Sequence, residues 1–303
     1  MNRIFVIGSL NMDIVIHAPR KIDMGETLMG GGFMTCPGGK GANQAVAAAR
    51  LGGSVSMLGC VGNDMFGMAL IDNLQKNGVC TDYIKTVEDT PTGVAVITIV
   101  DGDNCIILDS GANALIRPEH ILEAENMIKN SDMVILQLEI PIDTVIMSIE
   151  IAHRNGIKVL LNPAPAYVLP DEILSKVDIF TPNESECGLI TGIKATTVEG
   201  AREAVKYLLS RGIRQTAVTL GGNGVVYNRG DEIIHKGVPK VEVVDTTAAG
   251  DSFSGALAVA LCNGKSIDEA IDFANIVGTI TVTRKGAQSS LPTIDEVKKQ
   301  QLT

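Results

Sequence analysis

The sequence predicts an α/β fold with a mainly parallel central sheet sandwiched by helices and a smaller β-sheet beside it. Three observations carry this. Short β-rich runs that are apolar throughout recur along the 303-residue chain, and helical patterns separate them. Two regions break the rhythm with strand-like residues and no helix of their own. A run that is apolar at every position belongs to a strand buried on both faces, and the alternating helices supply the cover.

Taken in order, Arg3 to Gly8 is the first buried strand. Residues 14–36 follow, with Ile14-Val15-Ile16-His17 and a Gly30-Gly31-Gly32 bend. A helix is expected near 40–51, ending at Gly52. Val55 to Val61 is a strand and 64–77 a helix. Residues 92–108 look like a hairpin: Gly93 to Val100, the polar turn Asp101-Gly102-Asp103-Asn104, then Cys105 to Leu108. Helices near 118–130, 141–155 and 199–211 then alternate with strands at Met133 to Leu138, Lys158 to Asn162 and Thr216 to Leu220. The main domain is therefore expected over 1–13, 37–91 and 109–303, and the small sheet over 14–36 and 92–108. Val94, Val96, Ile106 and Leu108 give that sheet apolar residues at strand spacing, with no helix to cover them. One face should lie over a pocket or against another subunit.

The chain is long enough to bury a sizeable core, and 45% of its residues are hydrophobic. A formal net charge of −10 argues against nucleic acid or an anionic membrane as partner. No uninterrupted apolar run reaches the ~20 residues that span a bilayer. The six cysteines contain no C-x-x-C pair, and no signal-peptide pattern opens the chain, so reduced thiols in the cytoplasm are expected. The four histidines have no ligand spacing, and no zinc site is expected.

Two segments carry chemistry. In Asp245-Thr246-Thr247-Ala248-Ala249-Gly250-Asp251, small residues open into the apolar run Ala256 to Leu261. Small residues let the N–H groups of a helix start approach a ligand closely, and those groups attract anions. A carboxylate there suits proton acceptance from a hydroxyl that attacks a phosphoryl group. It could equally serve only to complement the helix dipole. In the second segment, Pro37-Gly38-Gly39-Lys40-Gly41-Ala42-Asn43-Gln44, a glycine turn feeds a helix. It is not a Walker A loop, because Met34 stands where the first glycine belongs and Gly41 follows Lys40. Nor does it supply the third glycine of a dinucleotide fingerprint. Backbone N–H groups, the Lys40 ammonium and the Asn43 amide would suit sugar hydroxyls; an ordinary turn with a solvated lysine is the plainer alternative.

Together the segments Gly38 to Gly52 and Asp245 to Leu257 resemble the paired signatures of the ribokinase, or PfkB, family of carbohydrate kinases. Further matching segments occur in family order: Gly8 to Asp13, Pro91 to Ala95, Gly111-Ala112-Asn113, Gln137-Leu138-Glu139, Asn162 to Ala166, Thr181 to Glu186, Thr219-Leu220-Gly221 and Thr283 to Gln288. They cover essentially the whole chain. The resemblance implies a ribokinase-like fold with a β lid over a sugar site, and ATP-dependent phosphorylation of D-ribose at O5. Kinases of deoxyribose, fructose, 2-keto-3-deoxygluconate or a nucleoside are the nearest alternatives. A non-catalytic sugar-binding protein on the same fold is the alternative of a different class.

The resemblance also assigns roles. Asp251 is the base, and the N–H groups of Ala248, Ala249, Gly250 and Asp251 face the transferred phosphoryl group. Asp13 and Glu139, which by pattern alone are turn or cap residues at strand ends, become acceptors of sugar hydroxyls. Asn11, Gly39, Lys40 and Asn43 complete the sugar site. Asn183 and Glu186 help position the phosphates and Mg²⁺ through water, although Asn183-Glu184-Ser185-Glu186 reads on its own as a capping box. Thr219, Gly221, Gly222, Gly224 and Gly250 line the nucleotide, with Asn275 near the adenine. The chain has no Trp and few aromatics, so aliphatic side chains are expected to sandwich the base. Asp245 and Thr247, with Thr281, Arg284, Gly286 and Ser290 of the following loop, are implied to enclose K⁺. A homodimer through the lid is implied as well.

Overall fold

The computed structural model describes residues 2–101 and 103–301. Its strands are β1 (Arg3–Ile7), β2 (Asn11–His17), β3 (Gly31–Gly38), β4 (Ser54–Gly62), β5 (Cys80–Val87), β6 (Gly93–Val100), β7 (Asp103–Asp109), β8 (Met133–Leu136), β9 (Lys158–Leu161), β10 (Ile179–Phe180), β11 (Gln215–Thr219), β12 (Val225–Arg229) and β13 (Glu232–Lys236). Its helices are α1 (Lys40–Arg50), α2 (Met65–Lys76), α3 (Pro118–Glu123), α4 (Glu125–Lys129), α5 (Ile142–Arg154), α6 (Asp171–Leu174), α7 (Glu184–Thr191), α8 (Val198–Ser210), α9 (Ala249–Cys262), α10 (Ile267–Thr281) and α11 (Ile294–Gln301).

Nine strands form the main sheet in the order β13-β12-β11-β10-β9-β8-β1-β4-β5. Pairing is parallel from β5 through β11 and antiparallel for β12 and β13 at one edge. The strand period of two divides β1 between two cores. Ile4 and Val6 pack into a cluster with α1, α9 and α10, while Phe5 and Ile7 join the opposite cluster with α5 and α8. All four are fully buried, each contributing roughly 1.5–3 kcal/mol. The sandwich expected from the apolar runs is thus the observed architecture.

The small sheet has the order β3-β2-β6-β7. Its strands run beyond the expected limits, since β2 begins at Asn11 and β3 extends to Gly38. Asp13 therefore lies within a strand. Of the expected polar turn, Gly102 falls outside the described residues. The register also separates the four apolar residues expected at strand spacing. Val96 pairs with Ile107, whereas Ala95 pairs with Leu108 and Ile97 with Ile106. Paired residues share a face. Val94 and Val96 thus lie with Ile107 on one side, and Ile106 and Leu108 lie on the other with Asp13, which pairs with Ala95.

One glycine turn joins the sheets. Gly39 has φ of 88° and precedes α1; a Cβ there would fall 2.7 Å from the Asn11 nitrogen and 2.9 Å from the Ser9 oxygen. Only glycine allows the helix start to press on the crossing from β1 to β2. Among the described residues, no helix is long and apolar enough to cross a membrane.

Candidate active site

The two signature segments meet, although their contacting residues are 207 and 208 positions apart. Asn43 Nδ2 donates to Asp251 Oδ2 at 2.9 Å, and Gln44 Nε2 donates to Asp251 Oδ1 at 2.9 Å. Asp251 is buried at the start of α9, whose approach is shaped by Ala248 in the left-handed region at φ 60°. That conformation is rare for a residue with a side chain and costs about 1–3 kcal/mol. It turns the small-residue loop into the helix. The Ala249 N–H donates to the Thr246 carbonyl at 3.2 Å. The expected four-donor set is thereby corrected: Ala249 is engaged within the turn, and Ala248, Gly250 and Asp251 remain to face an anion.

Asp13 lies near Asp251, and Glu139 lies near Asp13. Asp13 is buried with its pKa raised to about 7, first by desolvation and then by the charges of Glu139 and Asp251. Glu139 follows β8 and is partly committed to the scaffold. Its Oε2 accepts from Ser9 Oγ at 2.6 Å and from the Lys40 N–H at 3.2 Å, so it caps α1 from a distant part of the chain. Asn11 is held by Asn113, whose Nδ2 donates to Asn11 Oδ1 at 2.8 Å and to the Leu10 carbonyl at 3.0 Å. Burial works against the Lys40 ammonium, but Asp251, Glu139 and Glu186 outweigh it and its pKa is raised. Asn43 Oδ1 is buried without a partner, an acceptor open to a ligand.

Beyond Asp251 the cleft continues into two connected cavities. The nearer, of about 200 Å³, is lined by Lys40, Asn183, Glu186 and residues 248–251. Asn183 and Glu186 form the capping box, with Asn183 Oδ1 accepting from the Glu186 N–H and Glu186 Oε2 from the Asn183 N–H. Desolvation raises the Glu186 pKa against the pull of the Asn183 N–H and Lys40. The structural reading of this motif holds, and the box also faces the cleft.

The farther cavity, of about 390 Å³, is lined by Thr219, Gly221, Gly222, Gly224, Gly250 and Asn275, with Val238, Val241, Val243 and Val282 among its aliphatic walls. Gly221–Asn223 turns β11 into β12, so this loop is a hairpin connection as well as a cavity wall. Asn275 Nδ2 is buried without a partner.

Asp245 fastens two loops: Oδ1 accepts from the Thr247 N–H and Oδ2 from the Gly286 N–H, each at 2.9 Å. Its pKa is lowered because these bonds prevail over desolvation. The Thr281 hydroxyl bonds the Val277 carbonyl, the Ser290 hydroxyl the Ala287 carbonyl, and Arg284 the Glu296 carboxylate. The hydroxyl oxygens of Thr247, Thr281 and Ser290 keep lone pairs, so with backbone carbonyls and Asp245 they could meet a cation, whereas the Arg284 guanidinium offers no acceptor.

Several residues in this network carried no sequence signal. Ser9, Gln44, Asn113 and Gln137 sit inside the quoted motifs, but nothing in their spacing points to one another. Their partners lie 93 to 207 positions away, apart from the short Ser9–Gly41 link.

Comparison with known proteins shows the family and the fold. The model of the pfkB family carbohydrate kinases matches residues 1–294. A ribokinase of Haemophilus influenzae is 44% identical over 96% of this chain and 95% of its own length. A deoxyribokinase of Salmonella typhi is 38% identical over 97% and 96%. The structure of Arabidopsis thaliana ribokinase complexed with ribose and ATP superposes with a TM-score of 0.92 at 35% identity, covering 99% of this chain and 98% of that one. The chain belongs to the pfkB family of carbohydrate kinases.

Proposed function

We propose that this protein is an ATP-dependent ribose kinase that converts D-ribose to D-ribose 5-phosphate. One observation carries the reading: the buried Asp251 carboxylate stands where a carboxylate-lined sugar site meets an anion-attracting helix start. The ribokinase relatives, one of them seen with ribose and ATP, support it.

In this reading the C5 hydroxyl oxygen forms the new bond to the γ-phosphorus, the bond to the leaving ADP oxygen breaks, and the hydroxyl proton passes to Asp251. The N–H groups of Ala248, Gly250 and Asp251 meet the developing charge on the phosphoryl oxygens. Lys40, which faces both the sugar carboxylates and the nearer cavity, offsets charge on the same group. Asp13, Glu139, Asn11, Gly39 and Asn43 orient the sugar. A weak carboxylate base suffices, because phosphoryl transfer depends mainly on positioning and electrostatics. The glycines of the β11–β12 turn and the valine walls suit an adenine held by shape, with the free Asn275 amide as its polar contact.

Mg²⁺ fits the nearer cavity. Glu186 has one carboxylate oxygen outside the capping box, and such ions commonly keep their waters and take one or two carboxylates. The ion would neutralise phosphate charge. K⁺ fits Asp245 and the carbonyls of loop 281–290, where it would brace the turn before α9. Equal activity in KCl and in a large organic cation salt of matched strength would refute that role.

The small sheet serves as the lid. Its outer face exposes Val96 (39%) and Ile107 (74%), and a two-fold dimer would bury that patch against its own copy. Sedimentation of the wild type as a monomer at micromolar concentration would end the dimer reading. All six cysteines are free, which accords with work in the reducing cytoplasm.

The function is tested by incubating the protein with ATP, Mg²⁺ and ribose. ADP release should accompany a phosphorus NMR signal coupled to the C5 protons. No sugar phosphate, or phosphate on another carbon, would overturn the reading.

A further inference from the structure

Asp251 is held by a buried amide relay that the proposed reaction does not itself require. Gln44 is fully buried, and its side chain is completely engaged. Its Nε2 donates to Asp251 Oδ1 at 2.9 Å and to Asn162 Oδ1 at 3.1 Å. Its Oε1 accepts from Gln137 Nε2 at 2.6 Å. Asn162 is fixed in turn by donating from Nδ2 to the Thr181 carbonyl at 2.8 Å. Reversing the Gln44 amide would set an oxygen against the Asp251 carboxylate and nitrogen against the Gln137 donor. The relay therefore permits one orientation. Gln137 is also fully buried, with Oε1 unpartnered. A Cβ on Gly8 would fall 2.1 Å from that oxygen, so the glycine leaves the room Gln137 needs.

We infer that Gln44 is a positioning residue for Asp251: locked by Gln137 and Asn162, it fixes the direction of the carboxylate. The inference rests on the reading of Asp251 as the base. A neutral amide donor is the suitable group here. The charged groups that interact with Asp251 are Asp13 from β2, Glu186 from α7 and Lys40 from α1. Two of these three are acidic. A neutral amide donor holds the carboxylate in place without adding a charge that would pair with a phosphoryl group.

The test compares wild type, Gln44→Met, Gln44→Glu and Asp251→Asn. It measures kcat and KM for ribose and ATP across pH, with thermal unfolding as a check on folding. Gln44→Met should lower kcat roughly 10–100-fold, the scale of a misplaced reacting group, with both KM values within about threefold. Gln44→Glu keeps the size but sets a second carboxylate beside the base. The pair should share a proton, and the acid limb of kcat should move up by about one pH unit or more. A purely structural glutamine would lower the unfolding temperature and leave that limb in place. If Gln44→Met fails to fold, Gln44→Glu carries the test alone. Folded Gln44 variants with wild-type kcat and an unmoved acid limb, beside an inactive Asp251→Asn, overturn this inference and leave the base intact. A fully active Asp251→Asn would overturn the base assignment, and the inference with it.

Discussion

The two ends of the cleft are built from different materials. The proposed sugar end is made of side chains: Asp13, Glu139, Asp251 and Lys40, with buried amides from Asn11, Asn43 and Gln44. The proposed nucleotide end is made of glycine turns, a helix start and valines, with Asn275 contributing one amide. Charged side chains crowded out of water perturb one another, as the raised pKa of Asp13 shows. Backbone and aliphatic walls do not titrate. The sugar end should therefore be sensitive to pH and to single substitutions, and the nucleotide end should respond to shape.

The strongest challenge to this contrast is Asp251→Asn. Loss of a general base costs ~10²–10⁴-fold in kcat, and ribose and ATP should still bind in titration calorimetry. Wild-type turnover would remove Asp251 from the chemistry. Asp13→Asn comes next. Losing a charged acceptor of sugar hydroxyls should lower kcat/KM for ribose by roughly 10–100-fold, equivalent to about 1.5–3 kcal/mol. KM for ATP should not move. A parallel loss for ATP would blur the two ends into one.

The pH dependence sharpens the contrast. With Asp13 raised to about 7, the empty site holds this carboxyl protonated below that pH. Hydroxyls donate to a carboxylate, so kcat/KM for ribose should fall as pH drops below 7, by up to about tenfold per unit for one proton. The sign for stability is opposite. Because the folded pKa lies above the ordinary 3.8, this group favours the fold at low pH. That contribution is lost as pH rises from about 4 through 7. The sugar-free wild type should accordingly lose more thermal stability between pH 6 and 8 than Asp13→Asn does. Identical profiles would contradict the burial argument. The smallest effect is expected at the other end: Asn275→Ala should raise KM for ATP only about 3–10-fold, the worth of one hydrogen bond, with no new pH dependence.

The same contrast explains what the sequence disclosed. The buried strands β1, β8 and β9 are almost entirely apolar and β4 largely so, the buried centre Ala217-Val218 marks β11, and the glycine turns are local, so the sheet and both signature loops were legible. Strand β5 (Cys80–Val87) lies at the sheet edge, alternating with Thr, Asp and Lys, and β10 is two residues long. Neither leaves an apolar run. In the antiparallel β12–β13 edge, Glu232–Lys236 is only half-buried and leaves no apolar run, and the buried Val225-Val226-Tyr227 of β12 is short. In the site, Asp251 and Lys40 stood out because their motifs are contiguous. Gln44, Gln137 and Asn113 did not, because an amide acquires its role only from partners that the fold brings in. The face assignment of Ile106 and Leu108 likewise depends on register across the β6–β7 hairpin, which composition does not specify.

The central claim is that the side chains of the sugar end select ribose. It is tested most directly by kcat/KM with ATP across ribose, 2-deoxyribose, fructose and adenosine. Ribose should be highest. 2-Deoxyribose should be reduced by about 1–3 kcal/mol, roughly 5–150-fold, for the partner its missing hydroxyl leaves unpaired. A panel in which 2-deoxyribose or adenosine is the better substrate would contradict the account.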